Sequence, residues 1–414
     1  SDGLEIDLPE TATVLSMRDT PGLKEVDRQI EASLLEPIGS PGLRELVRGC
    51  GNACIVISDI TRPVPNKVIL PPILRTLEEE GIAREDIVIL IGTGLHRPNE
   101  GDELDRLVGP EISRKYRVIN HRAKEKQTLT FVGDTSAGAP IWIDSVYLQA
   151  DLKIATSLIE PHLMAGYSGG RKAICPGLMG VETMKVLHGP KLLASTNCSE
   201  GEIRNNPFHH QAVEVARRVG VDFTLNVSMN ERREVTGVFA GDLEAAHAAG
   251  VEFVESQNGA TLEGLADIVI TSGAGAPLDS TFYQSIKGLT AVLPIIAEGG
   301  TIIIVAKCEE GIGSSEFEEL LLSTDSPEDF LHQLEDPDFF VVDQWQLQEL
   351  CKVLKKARVM MYSNGIPDEL SDNLLVEMVE SVDSGLADAL LNSDGKARIA
   401  VVPKGPYVLT KLRE

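Results

Sequence analysis

The chain of 414 residues is poor in aromatic residues, at 4%, and poor in positive charge, with 38 Lys and Arg against 63 Asp and Glu. The resulting net charge of −25 argues against a polyanion as principal partner, because phosphate backbones are gripped by clustered basic side chains. Nucleic acid is therefore not the expected ligand. A small anion remains compatible, since a few convergent cations can outweigh a surface field that salt screens within about 10 Å. No apolar run reaches the roughly 18 residues that a membrane-spanning helix needs, and the opening SDGLEIDLPE has neither the basic nor the apolar region of a secretion signal. No membrane association is expected. The six cysteines (Cys50, Cys54, Cys175, Cys198, Cys308 and Cys351) form no CxxC pair and have no histidines at zinc-site spacing. Free thiols and a cytoplasmic location are the expectation. Cys50 and Cys54, four residues apart, read as one turn of a packed helix.

What is present is a globular composition, 43% hydrophobic and 24% charged, in a chain longer than one core usually supports. Short β-branched runs recur: ACIVISD, DIVILIGTG, LKIATSL, DIVITS, TIIIVAKC, ARVMMYS and ARIAVVP. Amphipathic stretches at 66–81, 207–219, 242–257 and 345–356 alternate with them. That alternation predicts an α/β protein with two Rossmann-like domains, mainly parallel sheets and a site in the cleft between them. Residues 1–265 are expected to form an N-terminal domain with the cofactor-binding and catalytic groups. Residues 266–414 form a C-terminal domain with the substrate carboxylate groups, and the final strand, 396–402, fits either one.

Ligands of open α/β sheets bind beyond the carboxyl ends of the strands, so the strand-end loops matter most. His96 in GLHRP and His162 in EPHLM fall just past strand ends, where an acid or base is presented to a crevice. Residues 166–172, GYSGGRK, supply glycines that let backbone amides approach a phosphate, followed by two cations, although the stretch is not a Walker A loop. His188 in KVLHGP ends a short helical pattern and by itself reads as a cap favoured by the helix dipole. Tyr283 and Lys287 share a helix face, and an amide at Gln284 with the Lys287 ammonium can hold a carboxylate. Asp59 and Arg62 in SDITR read locally as a turn with a surface arginine. His209 and His210 are adjacent, about 100° apart around a helix, and read as surface or packing residues.

Taken together, SDITRP, GTGLHRP, EPHLMAGYSGGRKAICPG, VLHGP and FYQSIKG resemble the nickel-pincer lactate racemase family in order and spacing. Ten residues separate His162 from Lys172 and sixteen separate Lys172 from His188. The resemblance covers nearly the whole chain. It implies an isomerase that inverts C2 of a 2-hydroxyacid, lactate or a relative, by proton-coupled hydride transfer. The implied cofactor is the nickel pincer nucleotide, a pyridinium bisthiocarboxylic acid mononucleotide holding Ni(II), attached covalently through Lys172. His188 is then the one protein ligand of the metal, completing a square-planar site with the cofactor's sulfur, carbon and sulfur donors. In the implied scheme His96 and His162 are the acid and base. Asp59, Ile60, Thr61, Arg62, Ser168, Gly169 and Gly170 line the cofactor with Lys172. Arg62, Tyr283, Gln284 and Lys287 bind the substrate, and Trp345 is a further candidate for the cleft wall. Implied partners are the small 2-hydroxyacid and the proteins that build the nickel cofactor. Two rival readings are a non-catalytic nucleotide-binding protein and a metal-dependent 2-hydroxyacid dehydrogenase. The second lacks an adequate ligand set, and GTGLHRP is not the GxGxxG fingerprint that opens a helix.

Overall fold

The computed structural model describes residues 3–336, 338–391 and 397–413. Its frame is two six-stranded sheets, each flanked by helices. The first runs in the spatial order Val235–Gly241, Phe223–Met229, Leu152–Leu158, Ala53–Ser58, Ile87–Gly92, Arg117–Asn120. All its pairings are parallel except that of Phe223–Met229 with Val235–Gly241, an edge hairpin that the strand runs in the sequence do not single out. The second runs Thr13–Val14, Ile399–Val402, Ala266–Ser272, Ile296–Val305, Ala357–Tyr362, Glu377–Met378, parallel throughout.

The β-branched runs become strands because both faces of these sheets are covered. In Ala53–Ser58, Ile55 and Ile57 enter one core while Cys54 and Val56 enter another, the period of two expected of a pleated strand. Cys54 is thus a strand residue, and Cys50 follows the helix Leu43–Val47, so the expectation of one shared helix fails. The amphipathic stretches form Asn66–Glu79, Pro207–Val219, Ala245–Asn258 and Gln344–Lys356. The second of these starts sharply. The Asn206 side chain accepts from the His209 amide at 3.0 Å and Pro207 occupies the first turn, a cap worth about 1 kcal/mol.

Chain order and sheet membership do not divide cleanly at residue 265. Thr13–Val14 crosses to pair with Ile399–Val402 at the edge of the second sheet, and Ile399–Val402 lies within that same sheet. A separate parallel pair, Gly259–Leu262 with Leu409–Leu412, ties the chain's end to the connection between the sheets. Among the described residues, no helix is long and apolar enough to cross a membrane.

Candidate active site

In the first sheet, Leu152–Leu158 lies directly beside Ala53–Ser58, although the chain between them builds strands on the far side. Loops leaving such neighbours diverge and open a crevice at the carboxyl edge. Asp59, Thr61 and Arg62 follow one strand, Glu160 and His162 follow the other, and His96 follows Ile87–Gly92. The facing wall comes from the helix Phe282–Thr290 and the start of Gln344–Lys356. The Thr281 side chain caps the first of these by accepting from the Gln284 amide at 3.2 Å, which fixes the turn carrying Tyr283, Gln284 and Lys287. Between these walls lies a cleft, open to solvent on one side, that side chains of both walls line.

Asp59 is 3% exposed, and its carboxylate lies 2.5 Å from His96 Nδ1. Its other oxygen accepts from the Thr61 amide at 3.1 Å and hydroxyl at 2.6 Å. Burial opposes ionisation of Asp59, but the His96 contact, the Thr61 hydroxyl and the Arg62 charge hold its carboxyl below the usual range. The anion therefore holds the proton of His96 on Nδ1 and leaves Nε2 as the free nitrogen.

His162 sits in a short hairpin in which Pro161 pairs with Tyr167 and His162 with Gly166. The backbone amides of Met164 and Ala165 donate to His162 Nδ1 at 3.2 and 3.3 Å, orienting the ring so that Nε2 lies 3.1 Å from Lys172 Nζ. Burial, reinforced by Arg62 and Arg171, drives Lys172 well below its ordinary pKa, and burial with the Lys172 charge does the same to His162. The loop between them is tied down by Ser168, whose hydroxyl donates to the Leu158 carbonyl at 2.8 Å and accepts from the Glu160 amide at 3.0 Å. Gly169 has φ +83°, and a Cβ there would sit 2.6 Å from Ile159 Cγ1, so no larger residue fits this turn. Arg171 turns away from the cleft. It is 1% exposed, donates to the Ala165 carbonyl at 2.7 Å, and lies 2.8 Å from His247 Nε2, clamping the loop instead of facing a ligand.

His188 caps the helix Val181–Leu187 and lines the cleft. Its ring packs edge-on against Phe208 at 5.0 Å and Trp345 at 5.1 Å, and its buried Nδ1 has no hydrogen-bond partner. Burial and the Lys172 charge lower its pKa to about 3, so the imidazole is neutral and keeps a lone pair for a metal. Among the described residues no three His, Cys, Asp or Glu side chains converge as a metal cluster, so a metal bound here takes most of its donors from elsewhere.

On the opposite wall, Lys287 Nζ donates to Gln284 Oε1 at 2.5 Å. Burial and then the Arg62 charge lower Lys287 to about 7, with Glu160 opposing. The Tyr283 hydroxyl donates to Asp343 at 3.2 Å and accepts from Trp345 Nε1 at 3.2 Å, making one hydrogen-bonded wall. Arg62 Nη1 lies 3.9 Å from Glu160.

The structure thus gathers His96, His162, Lys172, His188, Asp59, Thr61, Arg62, Ser168, Gly169, Tyr283, Gln284 and Lys287 around one cleft. Ile60 and Gly170 are outside its lining. The Ile60 side chain packs on the hydrophobic core, and the Gly170 amide is spent on Asn226 Oδ1 at 2.8 Å. Neither the Ser168 nor the Thr61 hydroxyl is free, since both are bonded within their own loops. Sequence reasoning missed Glu160, Asp343 and Phe208. Glu160 had a signal, its place between a strand end and His162, whereas Asp343 reaches the cleft, and Phe208 the ring of His188, only through tertiary packing.

Residues 1–201 match the family described as lactate racemase N-terminal domain, and residues 262–410 match lactate racemase C-terminal domain. The lactate racemase of Lactiplantibacillus plantarum is 35% identical over 92% of this chain and 90% of its own length. The lactate racemase of Thermoanaerobacterium thermosaccharolyticum is 31% identical over 99% of this chain and 97% of its own. The solved lactate racemase apoprotein from the latter organism superposes with a TM-score of 0.93, at 30% identity, over 99% of this chain and 97% of that one. A Thermotoga maritima protein shares the fold at a TM-score of 0.72 and 18% identity, over 94% of this chain and 98% of that one. With both halves matched and full-length relatives above 30% identity, this α/β chain belongs to the lactate racemase family of isomerases.

Proposed function

We propose that the protein racemises lactate or a closely related 2-hydroxyacid, using a nickel pincer nucleotide tethered through Lys172 and ligated by His188. The observation that carries this reading is the pairing of a buried Lys172 amine, pushed well below its ordinary pKa, with a neutral His188 imidazole in the cleft that also holds His96 and His162. A tether through nitrogen needs an unprotonated amine, and a metal ligand needs an unprotonated imidazole. The residues fit the group on both counts. When bound, that group supplies a hydride acceptor.

The chain's own residues supply the rest. Gln284, Lys287 and Arg62 bind the substrate carboxylate and oxygen, placing C2 between the two histidines. His96, with Nε2 free, takes the hydroxyl proton when the hydroxyl points towards it. His162, whose Nδ1 accepts the Met164 and Ala165 amides so that Nε2 carries the ring proton, gives that proton to the oxygen of the opposite hand, because inversion at C2 turns the hydroxyl to the other side. Two proton carriers on different strand-end loops are what the symmetry of a racemisation requires. Trp345, Phe208 and Tyr283 keep water from the reacting carbon. The same reading makes cofactor-building proteins the partners and the cytoplasm the site of action.

The test is to load the protein with cofactor and assay interconversion of the two lactate enantiomers. His96→Ala and His162→Ala are expected to keep the attached mass while losing racemisation by at least about a hundredfold, the usual weight of a general acid or base. Full activity in both variants would remove the histidines from the chemistry.

A further inference from the structure

The reaction above leaves Glu160 without a task. Its side chain is 15% exposed and stands in the wall between the cleft and a second cavity, which Arg233, Lys404 and Tyr407 also line. A buried carboxylate costs stability unless cations face it. Arg62 is 3.9 Å away, and Lys287 and Lys172 lie within electrostatic reach. Burial pushes the Glu160 carboxyl up and these three cations pull it back, while Glu160 in turn raises Lys287 against the repulsion of Arg62.

Charge balance in the cleft then becomes informative. Apart from histidines and Tyr283, six ionisable acids and bases line it among the described residues: Asp59, Arg62, Glu160, Lys172, Lys287 and Asp343. Lys172 is consumed by the tether. Arg62 and Lys287 are then the cations left in this lining, already facing the Glu160 and Asp59 carboxyls, and one substrate carboxylate bound between them takes up what remains of their charge. A second would meet no unused cation. Repulsion from an acid at about 5 Å weakens binding by roughly a hundredfold at the effective dielectric of such sites.

We propose that Glu160 is a positioning residue of the carboxylate site, a fixed negative charge that holds Arg62 and Lys287 and restricts the substrates to monocarboxylic 2-hydroxyacids with uncharged side chains. The inference rests on the 2-hydroxyacid reading above. Its test compares cofactor-loaded wild type, Glu160→Gln and Glu160→Asp on lactate and malate between pH 6 and 9. Calorimetric binding of both acids to the cofactor-free proteins runs alongside. In Glu160→Gln the alkaline rise of KM for lactate is expected about one pH unit lower, the usual effect of losing one nearby opposite charge. KM at pH 8 then stands about tenfold above wild type, with kcat changed less than threefold. The malate-to-lactate ratio of kcat/KM rises at least tenfold, and Glu160→Asp restores the wild-type profile. An unshifted profile with an unchanged ratio overturns the proposal, as does a loss of kcat that is equal at every pH. A wild type that racemises no 2-hydroxyacid defeats the functional reading instead. The calorimetric malate-to-lactate affinity ratio, raised in Glu160→Gln or not, still decides the role of Glu160.

Discussion

Replacing Asp59 by Asn changes one charge and almost no volume, yet it should invert the protonation of His96. The carboxylate lies 2.5 Å from Nδ1 and favours the proton there, which leaves Nε2 to act as the base in the proposed reaction. An asparagine that keeps its carbonyl oxygen on the Thr61 amide and hydroxyl, which both donate to Asp59 Oδ1, points its NH₂ at Nδ1. Nδ1 must then accept, and the proton moves to Nε2, where it blocks the reaction. A charge-assisted hydrogen bond alone is worth about 1.5–3 kcal/mol, or roughly ten- to a hundredfold. The corresponding exchange in a Ser-His-Asp triad, where the tautomer also inverts, costs about 10⁴ in kcat. The expected fall in kcat therefore lies between about 10²- and 10⁴-fold, with KM for lactate changed far less, because Asp59 is the weakest of the charges acting on Lys287. Steady-state racemisation of each enantiomer, read by polarimetry or a chiral coupled assay, gives both constants. A variant that keeps kcat within threefold of wild type would refute the assignment of His96 as a base oriented by Asp59.

Lys287→Met should raise KM about ten- to a hundredfold through loss of a charge-assisted contact, and should abolish the rise of KM that wild type shows above about pH 7, where Lys287 deprotonates. Kinetics across pH 6 to 9 check both parts. The cofactor-free protein should lose stability in acid. Burial holds His162, His188 and His247 below the ordinary imidazole pKa in the folded chain, whereas unfolded histidines titrate near 6.5. Unfolding then takes up protons at these histidines as pH falls below 6.5, each lowering stability by at most about 1.4 kcal/mol per pH unit, while Glu349, raised to about 7 by burial, opposes by up to the same amount. Urea midpoints between pH 7 and 5 measure this, and a flat profile would contradict it.

Much of this site could be read before any coordinates, because short strand-end loops keep their residues near the sheet's carboxyl edge whatever the packing elsewhere. His96, His162 and the Asp59 turn follow from that rule alone. His188 did not, since one histidine at a helix end reads as a cap until the family resemblance supplies a cofactor with its own donors. Arg171 misled for a different reason: two adjacent cations point in different directions, and only packing shows that Arg171 enters the core while Lys172 enters the cleft. Gly170 is held by Asn226, from a strand more than fifty residues away, which no local pattern reveals. The pairing of Thr13–Val14 with Ile399–Val402 is likewise invisible locally, because a two-residue parallel strand has no periodicity to detect.

The account turns on Lys172 as the anchor of the cofactor. Its most direct test is the intact mass of wild type and Lys172→Ala after incubation with the nickel pincer nucleotide, followed by a racemisation assay on the same samples. Wild type should gain the mass of one tethered group and interconvert lactate, and Lys172→Ala should gain no covalent mass and show no turnover. Full racemase activity in Lys172→Ala, or wild-type activity without any added mass, would contradict it.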